Sequence, residues 1–406
     1  MIKSRREMLR SGLGLGAAAG FGLGLKGSAA GVREDDLKTR ALTRHDLTTP
    51  ALLLDLDLLE ANLGTMSRHA KESGIGLRPH AKTHKCVEIA KRQVAGGALG
   101  VSVATIREAE AMSAGGVKGL LITSELVGRA KIERLVKLTR TQPDTMSVVD
   151  QEGHAKELSE AASAAKVHLN VLLDVDPSGR RTGIPGGEAA VALAEKIARL
   201  PNLRLRGIHA YSGASSHVQG FEERRQHSAR VMAPALETFA RLKRLGLPVE
   251  ILSGGSTGTY NIDTGLGGVT ELQVGSYVFM DVDYRLIGGK GGPVYEDFAP
   301  ALSVVATVIS RNYPDRATVD AGFKAFATDR KFGPEVKGLG GVGYSFGGDE
   351  HGILLLQNAT REVKVGDRLE FIVPHCDPTV NLYDRIHCLR GDRVEAVWRT
   401  VGRYGD

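Results

Sequence analysis

From Pro50 onward, short apolar runs alternate with helical patterns, and this alternation restricts the chain to an α/β architecture more tightly than any other feature. ALLLDL at 51–56 precedes LLEANLGTMSRHAKESG, GVSVAT at 100–105 precedes REAEAMSAGG, and GLLIT at 119–123 precedes VGRAKIERLVKL. TMSVVD (145–150), VHLNVLLDVD (167–176), LRGIHAYS (205–212), VEILSGG (249–255) and ELQVGSYVFM (271–280) continue the series. With the run around Ile75 and Leu77, about nine βα-like units fill some 230 residues, which predicts a parallel (β/α)8 barrel over residues 45–285. One run of the nine is surplus and is expected to be irregular or at an edge. After Asp283 the texture changes. Strand-like runs ALSVVATVI, RATVDA, HGILLLQ and DRLEFIV, separated by turn pairs such as YPD, GGDEHG and RGD, predict a mostly antiparallel β domain over 286–406, with Gly288–Pro293 as the linker.

A chain of 406 residues exceeds the usual single-domain length, and its 42% hydrophobic content supports a large core. The net charge of +6 suggests a nucleic-acid or membrane surface at first sight. Residues 1–30, however, hold Lys3, Arg5, Arg6, Arg10 and Lys26 against Glu7, so they carry +4 of it. The remainder is too sparse for a basic binding face, and no nucleic-acid partner is expected. The same thirty residues have a basic start, a Gly/Ala/Leu run and a small-residue end at Ser28–Ala30, the pattern of an export signal. Arg5-Arg6 followed by Met8 and Leu9 fits the twin-arginine route, which predicts a periplasmic protein, or a cytoplasmic one if the signal is unused. The run is too short and glycine-rich for a stable membrane span. Cys86, Cys376 and Cys388 have neither zinc nor redox spacing, and no disulfide framework is expected.

Chemistry concentrates first in LRPHAKTHK, residues 77–85, where Arg78, His80, Lys82, His84 and Lys85 crowd into nine positions. If the stretch continues a barrel strand, Arg78, His80 and Lys82 share a face, and Lys82 lies at the carboxyl end where barrel active sites sit. Neighbouring cations and desolvation would then lower the pKa of the Lys82 amine, as an imine-forming lysine requires. A solvated basic loop is the plainer reading of such a cluster, but this one begins inside an apolar strand. An imine-forming lysine calls for an aldehyde cofactor, and pyridoxal phosphate also needs a phosphate cup. GGSTGTY at 254–260 offers one: Gly254, Gly255 and Gly258 let backbone amides approach an anion, and Ser256, Thr257 and Thr259 add hydroxyls. Alone, the loop is as readily a plain glycine-rich turn.

Taken in order, RPHAKTHK, GRRTGI, HAYSGASSH, GGSTGTY, TELQVGSYVFMDVDY, VDAGFKAF, GDEHG and PHCDPTVNLYD carry a resemblance from about residue 45 to the C-terminus. The chain resembles the D-threonine aldolase and D-serine dehydratase-like family, the metal-activated relatives of alanine racemase. The resemblance implies that Lys82 binds the cofactor aldehyde covalently. It places Arg181 near the ring, with Arg180 as a substitute, and Tyr211, Gln273 and Tyr277 nearby. The 254–259 loop would hold the phosphate.

His375 and Asp377 are expected to share a strand face and grip one divalent ion, with Mn²⁺ preferred and Mg²⁺ or Co²⁺ as alternatives. In the dehydratases of the family the second ligand looks like cysteine, whereas here Cys376 should point away, which favours the aldolase side. His217 is implied as the base for the substrate's β-hydroxyl, and His209 as its neighbour on the strand. His351 is left as structural or near-site. The reaction implied is a lyase reaction, cleavage of D-threonine or related D-β-hydroxy-α-amino acids to glycine and an aldehyde, in a homodimer. A D-serine or D-3-hydroxyaspartate dehydratase, a 3-hydroxy-D-aspartate aldolase, a racemase and a non-catalytic cofactor carrier are the alternatives.

Overall fold

The structure, a computed structural model, describes residues 41–177 and 179–404; the expected export signal lies outside them. Strand β1 (Ala51–Asp55) is followed by the strands of the barrel: β2 (Gly76–Leu77), β3 (Ser102–Val103), β4 (Leu121–Ile122), β5 (Met146–Val149) and β6 (Leu169–Asp176). A two-residue strand, β7 (Ile184–Pro185), pairs with β6, and β8 (Leu203–Ala210), β9 (Ile251–Gly254) and β10 (Glu271–Leu272) complete the set. Their order is β2-β10-β9-β8-β6-β5-β4-β3, with parallel pairing throughout. The two ends meet: His80 bridges Ser102 in parallel register, and the Ala81 N–H donates to the Ser102 carbonyl at 2.7 Å. The central strands are buried on both faces, as parallel strands covered by helices must be.

One expected barrel strand belongs elsewhere. β1 leaves the barrel and pairs with β11 (Leu302–Tyr313) antiparallel, Ala51 opposite Val305. Its other edge runs parallel to a strand near the C-terminus, Leu53 opposite His387. ALLLD is buried on both faces, the same texture as a barrel strand, so periodicity could not separate the two placements. The helix Leu56–Ser73 then carries the chain from the β domain into the barrel.

The β domain continues with β12 (Arg316–Val319), β13 (Glu335–Val336), β14 (Gly343–Phe346), β15 (Gly352–Leu355), β16 (Arg368–Ile372), β17 (Arg385–Arg390) and β18 (Arg393–Arg399). Its pairings are antiparallel except for β1 with β17. One apolar core runs through barrel and β domain alike, including Val278 and Phe279 on one side and Leu302 and Val304 on the other. The three cysteines are free and buried. Among the described residues, no helix is long and apolar enough to cross a membrane.

Inside the barrel, Arg78 meets Glu271 in a two-pronged pair, Nε to Oε1 at 2.8 Å and Nη2 to Oε2 at 3.0 Å, with both side chains buried. Such a pair is neutral in net worth but costly to halve, because the survivor is an uncompensated buried charge. Glu271→Ala is therefore expected to lower the unfolding free energy by about 3–5 kcal/mol, while Arg78→Met with Glu271→Leu recovers most of the loss. Urea unfolding of the three proteins checks this; equal midpoints for the single and double variants would refute it.

Candidate active site

Strand β2 stops at Leu77, yet the Arg78 and His80 amides still donate to the Leu272 and Val274 carbonyls at 2.9 Å each, so extended pairing runs to His80. Ala81–His84 then turns, and Lys82 sits in that turn rather than on the strand. From there it enters a cavity of about 190 Å³ at the carboxyl end of the barrel. The expected stack of cations does not form. Arg78 is neutralised by Glu271, and burial holds the pKa of His80 well below the usual imidazole value. His80 Nδ1 accepts the Lys82 N–H at 3.3 Å, which leaves Nε2 to face Thr123 Oγ1 at 2.9 Å. The Lys82 amine instead lies 3.4 Å from Asp377 Oδ1. That carboxylate raises the lysine pKa well above its ordinary value, against the opposing effect of burial, so the expected lowering is corrected. Lys85 is no rival for the cavity, since its amine is bound by buried Glu108.

The glycine-rich loop forms one wall. Ser256 and Thr257 line the cavity, Gly254 ends β9, and Gly255 has φ +74°. A Cβ at Gly258 would come within 2.1 Å of the Ser216 carbonyl oxygen, so only glycine fits there. Thr259 faces inward to brace the loop: its Oγ1 accepts the Ser256 N–H at 3.2 Å and donates to Asp263 Oδ2 at 2.5 Å. Arg224, fully buried, ties the loop down by donating to the carbonyls of Gly258 (2.8 Å), Val218 (2.8 Å), Ile287 (3.0 Å) and Gly288 (2.7 Å). Gly275 and Ser276 line the same cavity. The backbone amides of Thr257, Gly258, Gly275 and Ser276 find no acceptor among the described residues. Unspent amides from two facing loops are what a phosphate group requires.

Arg181 and Tyr211 line the same cavity, with the guanidinium carbon 5.6 Å from the ring centroid, whereas Arg180 stands outside it at a left-handed turn with φ +47°. Gln273 lines the cavity and donates to Ser253 Oγ at 2.8 Å. Tyr277 does not: it is buried against Phe298, and its hydroxyl accepts from Gln93 Nε2 at 3.1 Å. Its backbone, not its ring, serves the site, by donating to Thr257 Oγ1 at 3.0 Å. His209 lies behind the cavity wall, Nδ1 2.6 Å from Asp174 Oδ1; burial would lower its pKa, but Asp174 outweighs burial and raises it. His351 is exposed and does not line the cavity.

The β domain supplies the remaining wall. Asp281 accepts the Cys376 N–H at 2.8 Å, and the Val282 and Asp283 amides donate to the Val373 and Pro374 carbonyls, which docks the segment after β16 onto the barrel rim. His375 is the N-cap of the helix Cys376–Leu382, so His375 and Asp377 sit at a helix start rather than on a strand face, and both still face the cavity. Cys376 is turned into the core, where burial pushes its thiol pKa far up. Burial works against the Asp377 carboxylate, but Lys82, His375 and Thr83 outweigh it and hold its pKa at about 2. His375 Nδ1 is 2.7 Å from Asp329 Oδ2, the carboxylate–histidine arrangement that leaves the other ring nitrogen free for a metal. Among the described residues no group of three or more His, Cys, Asp or Glu side chains is placed to hold an ion, so His375 and Asp377 are the two candidate donors facing the cavity. His217 reaches the cavity from the loop after β8, its ring 4.7 Å from that of Tyr284, and burial lowers its pKa. Thr83 and Tyr284, which lie within the quoted motifs, and Arg330, which lies in none, also line the cavity. A larger groove of about 760 Å³, between the helices Arg129–Thr141 and Glu152–Ala165, contains none of the expected site residues.

Comparison with known proteins agrees with this geometry. The alanine racemase N-terminal domain model matches residues 54–283, and the serine dehydratase domain model matches 301–389. A 3-hydroxy-D-aspartate aldolase of Paracoccus denitrificans (strain Pd 1222) is 38% identical, over 89% of this chain and 94% of that protein. A D-threonine aldolase of an Arthrobacter species is 36% identical, over 87% and 92%. Among solved structures, D-threonine aldolase from Filomicrobium marinum superposes with a TM-score of 0.85 at 38% identity, covering 89% of this chain and 97% of that one. D-threo-3-hydroxyaspartate dehydratase from Delftia sp. HT23 gives 0.79 at 30%, covering 88% and 98%. The chain belongs to the alanine racemase-like family, in the group that joins this barrel to a serine dehydratase-type β domain and includes the aldolases of D-threonine and 3-hydroxy-D-aspartate.

Proposed function

We propose that the protein is a pyridoxal phosphate- and divalent metal-dependent aldolase that cleaves D-threonine and related D-β-hydroxy-α-amino acids to glycine and an aldehyde. The observation that carries this is convergence: Lys82, the unspent amides of the two loops, His217 and the His375/Asp377 pair all border one cavity of about 190 Å³. The aldolase names of the two relatives above support the same reading.

The residues fit both groups. Lys82 is the amine that holds the cofactor aldehyde, the amides around Thr257 and Gly275 bind its phosphate, and Arg181 flanks it together with Tyr211. Pyridoxal phosphate, when bound, supplies the electron sink for the pair left on Cα as the Cα–Cβ bond breaks. His375 and Asp377 offer an imidazole and a carboxylate to a divalent ion, Mn²⁺ in our reading, which lowers the pKa of a hydroxyl it binds. His217 takes the β-hydroxyl proton. The Lys82–Asp377 contact keeps the amine beside the ion-binding carboxylate, so the two ends of the substrate, α-amine and β-hydroxyl, are received by adjacent groups. A dehydratase is the second reading; it would share every residue except the donor set, where a cysteine would serve in place of Asp377. We further infer export by the twin-arginine route, on the strength of Arg5-Arg6 and the run after it, and assembly as a homodimer.

Incubation of the purified protein with D-threonine, D-3-hydroxyaspartate and D-serine, with Mn²⁺ and with a chelator, is expected to give metal-dependent glycine; ammonia release, or no reaction, would defeat the aldolase. Lys82→Ala is expected to abolish the cofactor's absorbance at the visible edge while Lys85→Ala keeps it, and a coloured Lys82→Ala protein would move the anchor. His375→Ala should keep the colour and lose the response to Mn²⁺, with unchanged metal activation counting against the ligand assignment.

A further inference from the structure

Arg330 lies in the cavity wall without a role so far, and its contacts are unusually ordered. Its Nε donates to Asp283 Oδ2 at 2.8 Å, and its Nη1 donates to Asp329 Oδ2 at 2.7 Å. The same two oxygens face the two site histidines. Asp283 Oδ2 is 3.3 Å from His217 Nδ1, and Asp329 Oδ2 is 2.7 Å from His375 Nδ1. The first contact is out of line for a full hydrogen bond, and His217 Nδ1 has no other partner among the described residues. Asp283 belongs to the short helix after β10, Arg330 and Asp329 to the loop between β12 and β13, His217 to the loop after β8 and His375 to a helix cap. One guanidinium therefore joins four segments of two domains at the edge of one cavity.

We infer that Arg330 is a positioning residue whose fork sets the tautomer and orientation of His217 and His375 together. A ring that gives its Nδ1 proton to a carboxylate keeps the Nε2 lone pair for the cavity. The guanidinium holds each carboxylate oxygen in front of an Nδ1, as a hydrogen bond at His375 and as a 3.3 Å electrostatic contact at His217, so both imidazoles are biased to present Nε2: one as the nitrogen donor beside Asp377, the other as an acceptor for a hydroxyl proton. The chemical meaning of those two lone pairs rests on the proposed function; the clamp itself does not. A fork is required because two carboxylates must be met by two N–H groups in one plane, and a lysine ammonium, a single point charge, does not reproduce that.

The test is long-range ¹H–¹⁵N NMR on ¹⁵N-histidine-labelled protein without added metal, with His217 and His375 assigned from His217→Gln and His375→Gln. Wild-type protein is expected to show both rings protonated at Nδ1. Arg330→Gln should shift both rings to mixed tautomers, and Arg330→Lys should fail to restore them. Asp329→Asn should disturb His375 alone and Asp283→Asn His217 alone, which keeps the test decisive if an Arg330 variant folds poorly. Unchanged tautomers at both rings in Arg330→Gln, or Nε2-protonated rings in wild type, would overturn the clamp. A parallel titration of free Mn²⁺ by electron paramagnetic resonance separates the two ideas. Loss of affinity by about tenfold or more in Asp329→Asn supports the coupling to the ion site. A wild-type protein that binds no Mn²⁺ ends the metal part of the proposed function while leaving the NMR result to judge the clamp.

Discussion

Everything at the cavity depends on how the β domain is fastened to the barrel, and the fastening begins with β1. Because Ala51–Asp55 hydrogen-bonds to β11 on one side and β17 on the other, the chain is part of the β domain before it enters the barrel and again after it leaves. The barrel is thus held at both ends by a single sheet. The second fastening is local: Asp281 and the Val282 and Asp283 amides grip the Val373–Cys376 backbone. Together they fix the start of the Cys376–Leu382 helix at the barrel mouth, which is why a residue at 377 can stand 3.4 Å from one at 82. In a chain where β1 lay in the barrel, His375 and Asp377 would be attached to the site only through the Gly288–Pro293 segment and that local grip.

The electrostatics of the cavity follow from that docking. Lys82 does not sit in a stack of cations; Glu271 answers Arg78, burial disfavours the charged form of His80, and Asp377 answers Lys82 itself. On the far side, Arg330 is balanced by Asp283 and Asp329. Two of these pairs, Lys82 with Asp377 and Arg330 with Asp283, cross the domain boundary, so this part of the site is assembled only when barrel and β domain are packed together. Removing either partner of such a pair exposes the other to a poorly solvated wall, and the cost falls on the docking as well as on the chemistry.

Much of this was legible in the sequence, for definite reasons. The barrel showed because parallel strands buried on both faces alternate with amphipathic helices over most of the chain. Lys82, Arg181, Tyr211, His217, Ser256, Thr257, Gln273, His375 and Asp377 all border the cavity, and they lie within segments whose residue types already pointed to a carbonyl, a phosphate or a metal. What stayed hidden is equally specific. A doubly buried strand reads the same in a barrel and in the middle of a mixed sheet, so β1 was misplaced. Neighbours in sequence point to a lowered lysine pKa, whereas the carboxylate that raises it, Asp377, and the one that neutralises Arg78, Glu271, come from remote positions. Tyr277 shares its segment with Gln273 but not its direction, since the chain leaves β10 and turns into a 3₁₀ helix at Ser276–Val278. Arg330 and Asp329 lie in no motif, and the partners that give them meaning, Asp283 and His375, are 47 and 46 positions away.

The placement of Cys376 bears on the choice between carbon–carbon cleavage and loss of the hydroxyl. Both a sulfur and a carboxylate are present in the HCD triplet, and the helix start determines which of them meets the cavity. With His375 as N-cap, Cys376 enters the core and hydrogen-bonds through its backbone to Asp281, while Asp377 comes round to the open side. The buried thiol, its pKa pushed far up, is a poor source of thiolate, and the carboxylate, held at about 2, is ionised throughout the neutral range. If an ion binds there, as proposed, the donors offered to it are nitrogen and oxygen, a pair suited to a harder ion such as Mn²⁺ rather than to one selected by sulfur. A hard ion paired with oxygen donors keeps open positions for water or an alcohol, which suits activation of a β-hydroxyl that stays on the departing aldehyde. Under the proposed function, the register of one short helix would select the ion and, through it, favour which bond of the substrate breaks.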